Sequence, residues 1–201
     1  MLRHVAKLGA VIGGAALIPA QAMAHVQGGA HAHPGELQSL AAGFLHPFSG
    51  LDHLLAMLAL GLWIAGSPIR ERGAVAGLFV AAMLLGALIG VSGPAVPEVE
   101  FFIATSVVIL GALVAAGRGA HFVTALSLAG VFALFHGFSH GVEMGTAMAV
   151  PYFTGFLMGS GLLVMGAAVG AGELKGRHTV VLRPAGAAIC ALGAAMLIGL
   201  V

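Results

Sequence analysis

The stretch Phe44–Gly66, FLHPFSGLDHLLAMLALGLWIAG, is apolar and long enough to cross a bilayer, yet its first third carries His46, Asp52 and His53. A carboxylate left charged and unpaired in lipid costs about 2.5–3.5 kcal/mol on insertion scales. Asp52 must therefore face a bundle interior, a partner group or a water-filled path. That requirement sets the question for the rest of the chain.

Of 201 residues, 60% are hydrophobic and only 7% are charged, against about a quarter charged in a soluble domain. So few charges cannot cover a soluble globule, which points to an all-α integral membrane protein. No basic–aromatic patch addresses nucleic acid. No Walker loop or dinucleotide fingerprint addresses ATP or NAD. The lone Cys190 lies in the last apolar segment, excludes a disulfide within the chain and reads as a small buried apolar residue.

Residues 1–24 read as a cleavable signal peptide. Arg3 and Lys7 precede the short apolar run Leu8–Ile18, and Ala22-Met23-Ala24 is a small-x-small cleavage site. Cleavage leaves His25 as a mature N-terminus outside the cytoplasm. Residues 25–36 then form a tail with His25, His31, His33 and Glu36. A terminal amine beside its own imidazole, followed by two more imidazoles, suits metal capture; the plain alternative is a solvated lead-in.

Residues 37–201 divide into six apolar segments, at about 37–66, 73–92, 99–117, 121–141, 147–170 and 180–200. The expected fold is a six-span helical bundle. The first segment is too long for one straight span. His46 precedes Pro47, which biases it away from helix. The expectation is a short helix or re-entrant piece over 37–45, a break near His46, and a true span from about Pro47. With the N-terminus outside, every remaining Lys and Arg (Arg70, Arg72, Arg118, Lys175, Arg177 and Arg183) falls on cytoplasmic loops or their edges, as the positive-inside rule requires. Both termini are then periplasmic. Glycines four apart, among them Gly73/Gly77, Gly86/Gly90, Gly137/Gly141/Gly145, Gly155/Gly159 and Gly166/Gly170, predict close helix approaches.

On a continuous helix His46 and His53 share a face, with Met57 one turn on, while Asp52 lies about 100° away. Asp52 is then either a ligand from the flank or an acid that orients a histidine on a neighbouring helix. A second cluster, FHGFSHGVEMG over Phe135–Gly145, carries His136, His140 and Glu143. If the helix persists through its glycines, the three project within about 60°. Imidazoles with a carboxylate suit Ni, Zn, Co or Fe rather than alkali ions. Topology brings both clusters to a similar depth below the outer face. Met57 is a weaker candidate, as a thioether or as filler. Glu98 and Glu100 stand at the outer start of the third span, where they either draw cations or mark a boundary. His121 and His178 are weak candidates near the inner side.

The stretches HPFSGLDHLLAM at 46–57 and HGFSHGVE at 136–143 resemble the HupE/UreJ family of nickel and cobalt permeases, whose patterns read HPxxGxDHxxxM and HGxxHGxE. The signal peptide, the His-bearing start and the six spans are similar too. The resemblance implies a non-enzymatic, ATP-independent importer of Ni2+ or Co2+ in the bacterial inner membrane, serving hydrogenase or urease assembly. No prosthetic group and no ATPase subunit is expected. His46, Asp52, His53, His136, His140 and Glu143 would meet the ion, and a cytoplasmic metallochaperone would receive it. The rival classes are an intramembrane zinc-dependent hydrolase, a b-type cytochrome with histidine axial ligands, and a passive subunit of a larger complex.

Overall fold

The computed structural model describes residues 35–93, 96, 98–174 and 178–201. The signal segment, His25, His31, His33, Lys175 and Arg177 lie outside the described residues, as does the side chain of His178. Among the described residues the regular structure is helical. The helices are α1 (Glu36–Ser49), α2 (Leu51–Ile64), α3 (Ile69–Ser92), α4 (Val99–Ala116), α5 (Phe122–Glu143), α6 (Ala149–Gly172) and α7 (His178–Leu197). Helices α3 to α6 are each long and apolar enough to cross a bilayer, as is α7 from Val180. Neither α1 nor α2, at 14 residues each, reaches more than about 21 Å. The two are bent by 76° and are long and apolar enough to cross only as a pair, a broken span or a re-entrant loop, which gives five or six candidate spans among the described residues. The protein is a multi-pass helical membrane protein.

The break corrects the sequence expectation. It falls at Gly50, and both His46 and Pro47 lie inside α1. Only the bond from residue 47 to the Gly43 carbonyl is lost to proline. The Pro47 ring instead packs where α6 carries Gly159, so closely that a Cβ there would sit 3.1 Å from Pro47 Cγ. Packing on α6 thus holds a helix that local preference disfavours. Gly43 faces the Tyr152 carbonyl, Gly155 the Leu40 carbonyl and Gly61 the Val164 carbonyl. The bent pair therefore follows α6 along its length and in the same direction. The Ser39 hydroxyl accepts a 3.1 Å hydrogen bond from the Met148 backbone, fixing the start of α1 to the start of α6.

Lipid supplies little hydrophobic drive between helices, so small residues that admit close contact carry the assembly. Helices α3 and α5 run parallel through Gly86, Gly90, Gly137 and Gly141, each set against a backbone carbonyl of the other helix. Helices α4 and α7 run antiparallel through Gly111, Gly186 and Gly193. The expected pairs Gly73/Gly77 and Gly166/Gly170 do not act this way, since no neighbour lies within 4 Å of where their Cβ would be. Gly145 also leaves the stripe. It sits in the turn after α5 at φ 62°, a left-handed conformation that glycine adopts readily.

Arginines close one end of the bundle. Arg72 donates to the Ala168 carbonyl (3.2 Å) near the end of α6, and Arg183 to the Ala116 carbonyl (3.1 Å) at the end of α4. Both cations stand at helix C-terminal ends, where the helix dipole favours positive charge. The histidine clusters lie towards the opposite end. Between them, Met57, Leu60, Ile64, Phe79, Met83, Leu110 and Phe156 form a closely packed apolar core. Leu85, Ile89, Val131 and Leu162 face outward, as lipid contact allows.

Candidate metal centre

The two clusters meet. His46 comes from α1, Asp52 and His53 from α2, and His136, His140 and Glu143 from α5. Helix α5 runs unbroken to Glu143, so Gly137 and Gly141 do not unwind it. They serve instead to bring α3 close. His136 and His140 therefore stand one turn apart on a continuous helix, with Glu143 on its last turn.

The break at Gly50 shapes the other half. Ser49 Oγ donates to the His46 carbonyl at 2.6 Å, closing the end of α1. Asp52 stands in the first turn of α2, where free backbone N–H groups and the helix dipole favour an acid. Its Oδ1 accepts from the His53 backbone N–H (2.8 Å) and from His53 Nδ1 (2.6 Å). The choice left open for Asp52 is thereby narrowed: it orients its own neighbour, not a histidine of another helix. The shared face expected for His46 and His53 assumed a continuous helix and does not apply across the 76° bend, whereas Asp52 and His53, both on α2, keep their step of about 100°.

Four imidazoles form a file. Ring centroids are 4.6 Å apart for His46 and His140, 4.3 Å for His140 and His53, and 5.2 Å for His53 and His136. At the open end His46 Nε2 lies 3.3 Å from Glu143 Oε2, and His140 Nδ1 lies 3.9 Å from the same oxygen. One ligand atom each from His46, His140 and Glu143 lie within 4.8 Å of one another. Two ligands about 2.1 Å from a shared ion are at most about 4.2 Å apart, and both separations to Glu143 Oε2 fall inside that limit. The His46 side chain at the open end is 30% exposed, and His140, His53 and His136 behind it are buried.

The ring nitrogens fit a cation. His53 Nδ1 faces a carboxylate, and His136 Nδ1 lies 2.9 Å from the Phe132 carbonyl. Each acceptor draws the ring proton to Nδ1 and leaves a lone pair on Nε2. Those two Nε2 atoms, and both nitrogens of His140, are buried without a hydrogen-bond partner. Buried polar atoms are nearly always paired. With one His140 nitrogen carrying the ring proton, three lone pairs without partners remain at one centre, and a ligand that accepts electron pairs, as a transition-metal ion does, accounts for them.

Other candidates are placed differently. Met57 is fully buried in the apolar core one turn along α2 from His53. Glu98 and His121 are exposed. Glu100 lines a cavity of about 290 Å³ together with Leu51, Asp52, Ala104 and Met196, so a second acid opens on the Asp52 side of the centre. Two walls carry no signal in the sequence. The Phe156 ring lies 4.0 Å from His140 and the Tyr152 ring 6.0 Å from His46. Both stand on α6, where one aromatic among apolar residues looks like any other. The third missed residue is Ser139, whose Oγ donates to Glu143 Oε1 at 2.9 Å.

The model of the HupE / UreJ protein family matches residues 15–196, which include both histidine clusters. The chain belongs to the HupE/UreJ family. It is 40% identical over 173 residues to Protein HupE of Rhizobium leguminosarum bv. viciae, an alignment covering 85% of this chain and 91% of that protein. No solved structure matches. In this HupE/UreJ chain the two sequence patterns are thus the two halves of one spatial cluster.

Proposed function

We propose that the protein imports Ni2+, and Co2+ as a second cargo, across the bacterial inner membrane without ATP. The observation that carries this reading is the meeting of His46, His53, His136, His140 and Glu143 from three helices, with four buried ring nitrogens left without partners. Nitrogen donors with one or two carboxylates suit late first-row cations. Asp52 and Glu143 offset the double charge.

In this reading the signal peptide is removed, both termini are periplasmic, and the His25, His31 and His33 tail gathers hydrated metal. His46 and Glu143 take the ion first, being the most exposed members, with the buried His140 directly behind them. His140 has two nitrogens without partners and neighbours both His46 and His53. It hands the ion to His53 and His136. The core around Met57 below this file must open to let it pass, and a site of few ligands releases more readily than a closed one. Moving two charges down an inside-negative potential yields about 4.6 kcal/mol per 100 mV, which drives uptake. The cargo then serves hydrogenase or urease assembly through a cytoplasmic metallochaperone. No observation among the described residues favours the intramembrane hydrolase.

The test is radioactive nickel uptake into proteoliposomes holding the full mature chain, with and without an inside-negative potential. Potential-stimulated uptake that cobalt competes and that His53→Ala and His140→Ala abolish is the expected result. No uptake above empty liposomes by folded, correctly oriented protein overturns the reading.

A further inference from the structure

Ser139 is buried and lies on α5 between His136 and His140, one turn before Glu143. Its bonding sets it apart from six other helical hydroxyls. Those of Ser49, Ser92, Ser106, Ser127, Thr154 and Ser160 bond back to a carbonyl three or four residues earlier, the usual behaviour of a hydroxyl inside a helix. Ser139 instead donates forward, to Glu143 Oε1 at 2.9 Å.

Glu143 needs such a hold. It is the last residue of α5, where the helix dipole opposes a negative charge. Its side chain is 43% exposed and long enough to turn into water, which would free its rotamers. The bond from Ser139 occupies Oε1 and leaves Oε2 facing His46 Nε2 at 3.3 Å and His140 Nδ1 at 3.9 Å. The HGxxHGxE pattern leaves this position free, so the pattern carries no sign of it.

We propose that the Ser139 hydroxyl is a positioning group: it fixes Glu143 so that a single oxygen, Oε2, faces the His46 and His140 rings as a one-oxygen ligand for a divalent transition-metal ion. This rests on the transport reading above. Because Glu143 is half-exposed, water replaces the lost bond in Ser139→Ala, and the fold is little affected. The loss appears in metal affinity, which falls about 10–100-fold when a partner that orients a ligand is removed.

The experiment measures nickel binding to the purified full chain by equilibrium dialysis, and nickel uptake kinetics in proteoliposomes. The expected result for Ser139→Ala is a Kd and KM raised at least about ten-fold with kcat nearly kept, while Ser139→Thr, which keeps the hydroxyl, stays close to wild type. In a Glu143→Gln background, Ser139→Ala should add much less than it does alone, since the two act through one group. If Ser139→Ala fails to fold, Ser139→Cys, close in size and a far weaker donor, reads the same bond. Unchanged Kd and KM in the Ala or Cys variant, or full additivity with Glu143→Gln, overturns the proposal. A wild-type protein that neither binds nor moves nickel overturns the transport reading, and this inference with it.

Discussion

His46 Nε2 and Glu143 Oε2 lie 3.3 Å apart, although one stands in the last turn of the first helix and the other ends the fifth. This pair joins the two clusters at their most exposed point. Glu143→Ala should lower nickel affinity by about 100-fold or more, beyond the usual effect of losing a group that only orients a ligand. Equilibrium dialysis with nickel checks this. An unchanged affinity would remove Glu143 from the centre.

Asp52 holds His53 through both its ring and its backbone. Asp52→Asn keeps the shape but removes the charge and the demand for a proton on Nδ1. Nickel affinity should fall about 10–100-fold with the fold intact. Gly50→Ala should act on the same pair, because a Cβ at residue 50 would lie 2.9 Å from both Asp52 Oδ1 and His53 Nδ1. Uptake kinetics should show the two variants failing alike, with circular dichroism unchanged. A Gly50→Ala protein of normal KM would separate the break from the centre.

The glycine stripe divides into positions that bear on stability and positions that do not. A Cβ at Gly137 would run into the Met83 carbonyl, a backbone group that cannot turn aside. Gly137→Ala should destabilise by about 1–3 kcal/mol. Gly77 has open space where its Cβ would be, so Gly77→Ala should be neutral or stabilising by up to about 1 kcal/mol. Thermal unfolding of detergent-solubilised protein gives the order, and equal losses in both variants would contradict the α3–α5 crossing.

Cations that accept imidazole should stabilise the folded chain. Nickel or cobalt at 100 times its Kd adds about 2.7 kcal/mol by mass action. Magnesium and calcium, which prefer oxygen ligands, should add little. A thermal shift equal for nickel and magnesium would point to surface binding.

Much of this arrangement is legible before any coordinates. Long apolar runs mark the spans, and the placement of Arg70, Arg72, Arg118 and Arg183 marks one end of the bundle, because lipid allows few alternatives. The spacing of His136, His140 and Glu143 gives their common side because α5 stays helical. The break is where local reasoning fails. His46 and Pro47 carry the conformational signal, but Gly159 on α6 accommodates the proline ring, and the chain bends at Gly50 instead. No local rule contains a contact between residues so far apart. For the same reason the aromatic walls Tyr152 and Phe156 emerge only from the assembled helices, whereas the Asp52–His53 and Ser139–Glu143 bonds join near neighbours and turn on rotamers that the residue pattern does not set.

The central claim is that α1, α2 and α5 build one metal centre. Nickel K-edge X-ray absorption on the purified chain tests it most directly, with His25, His31 and His33 replaced by alanine so that the tail contributes no ligand. The account predicts one nickel per chain with at least two imidazole ligands, and loss of one imidazole in His46→Ala and, separately, in His140→Ala. The same imidazole count in wild type and both variants, or a nickel bound by water and carboxylate alone, would contradict it.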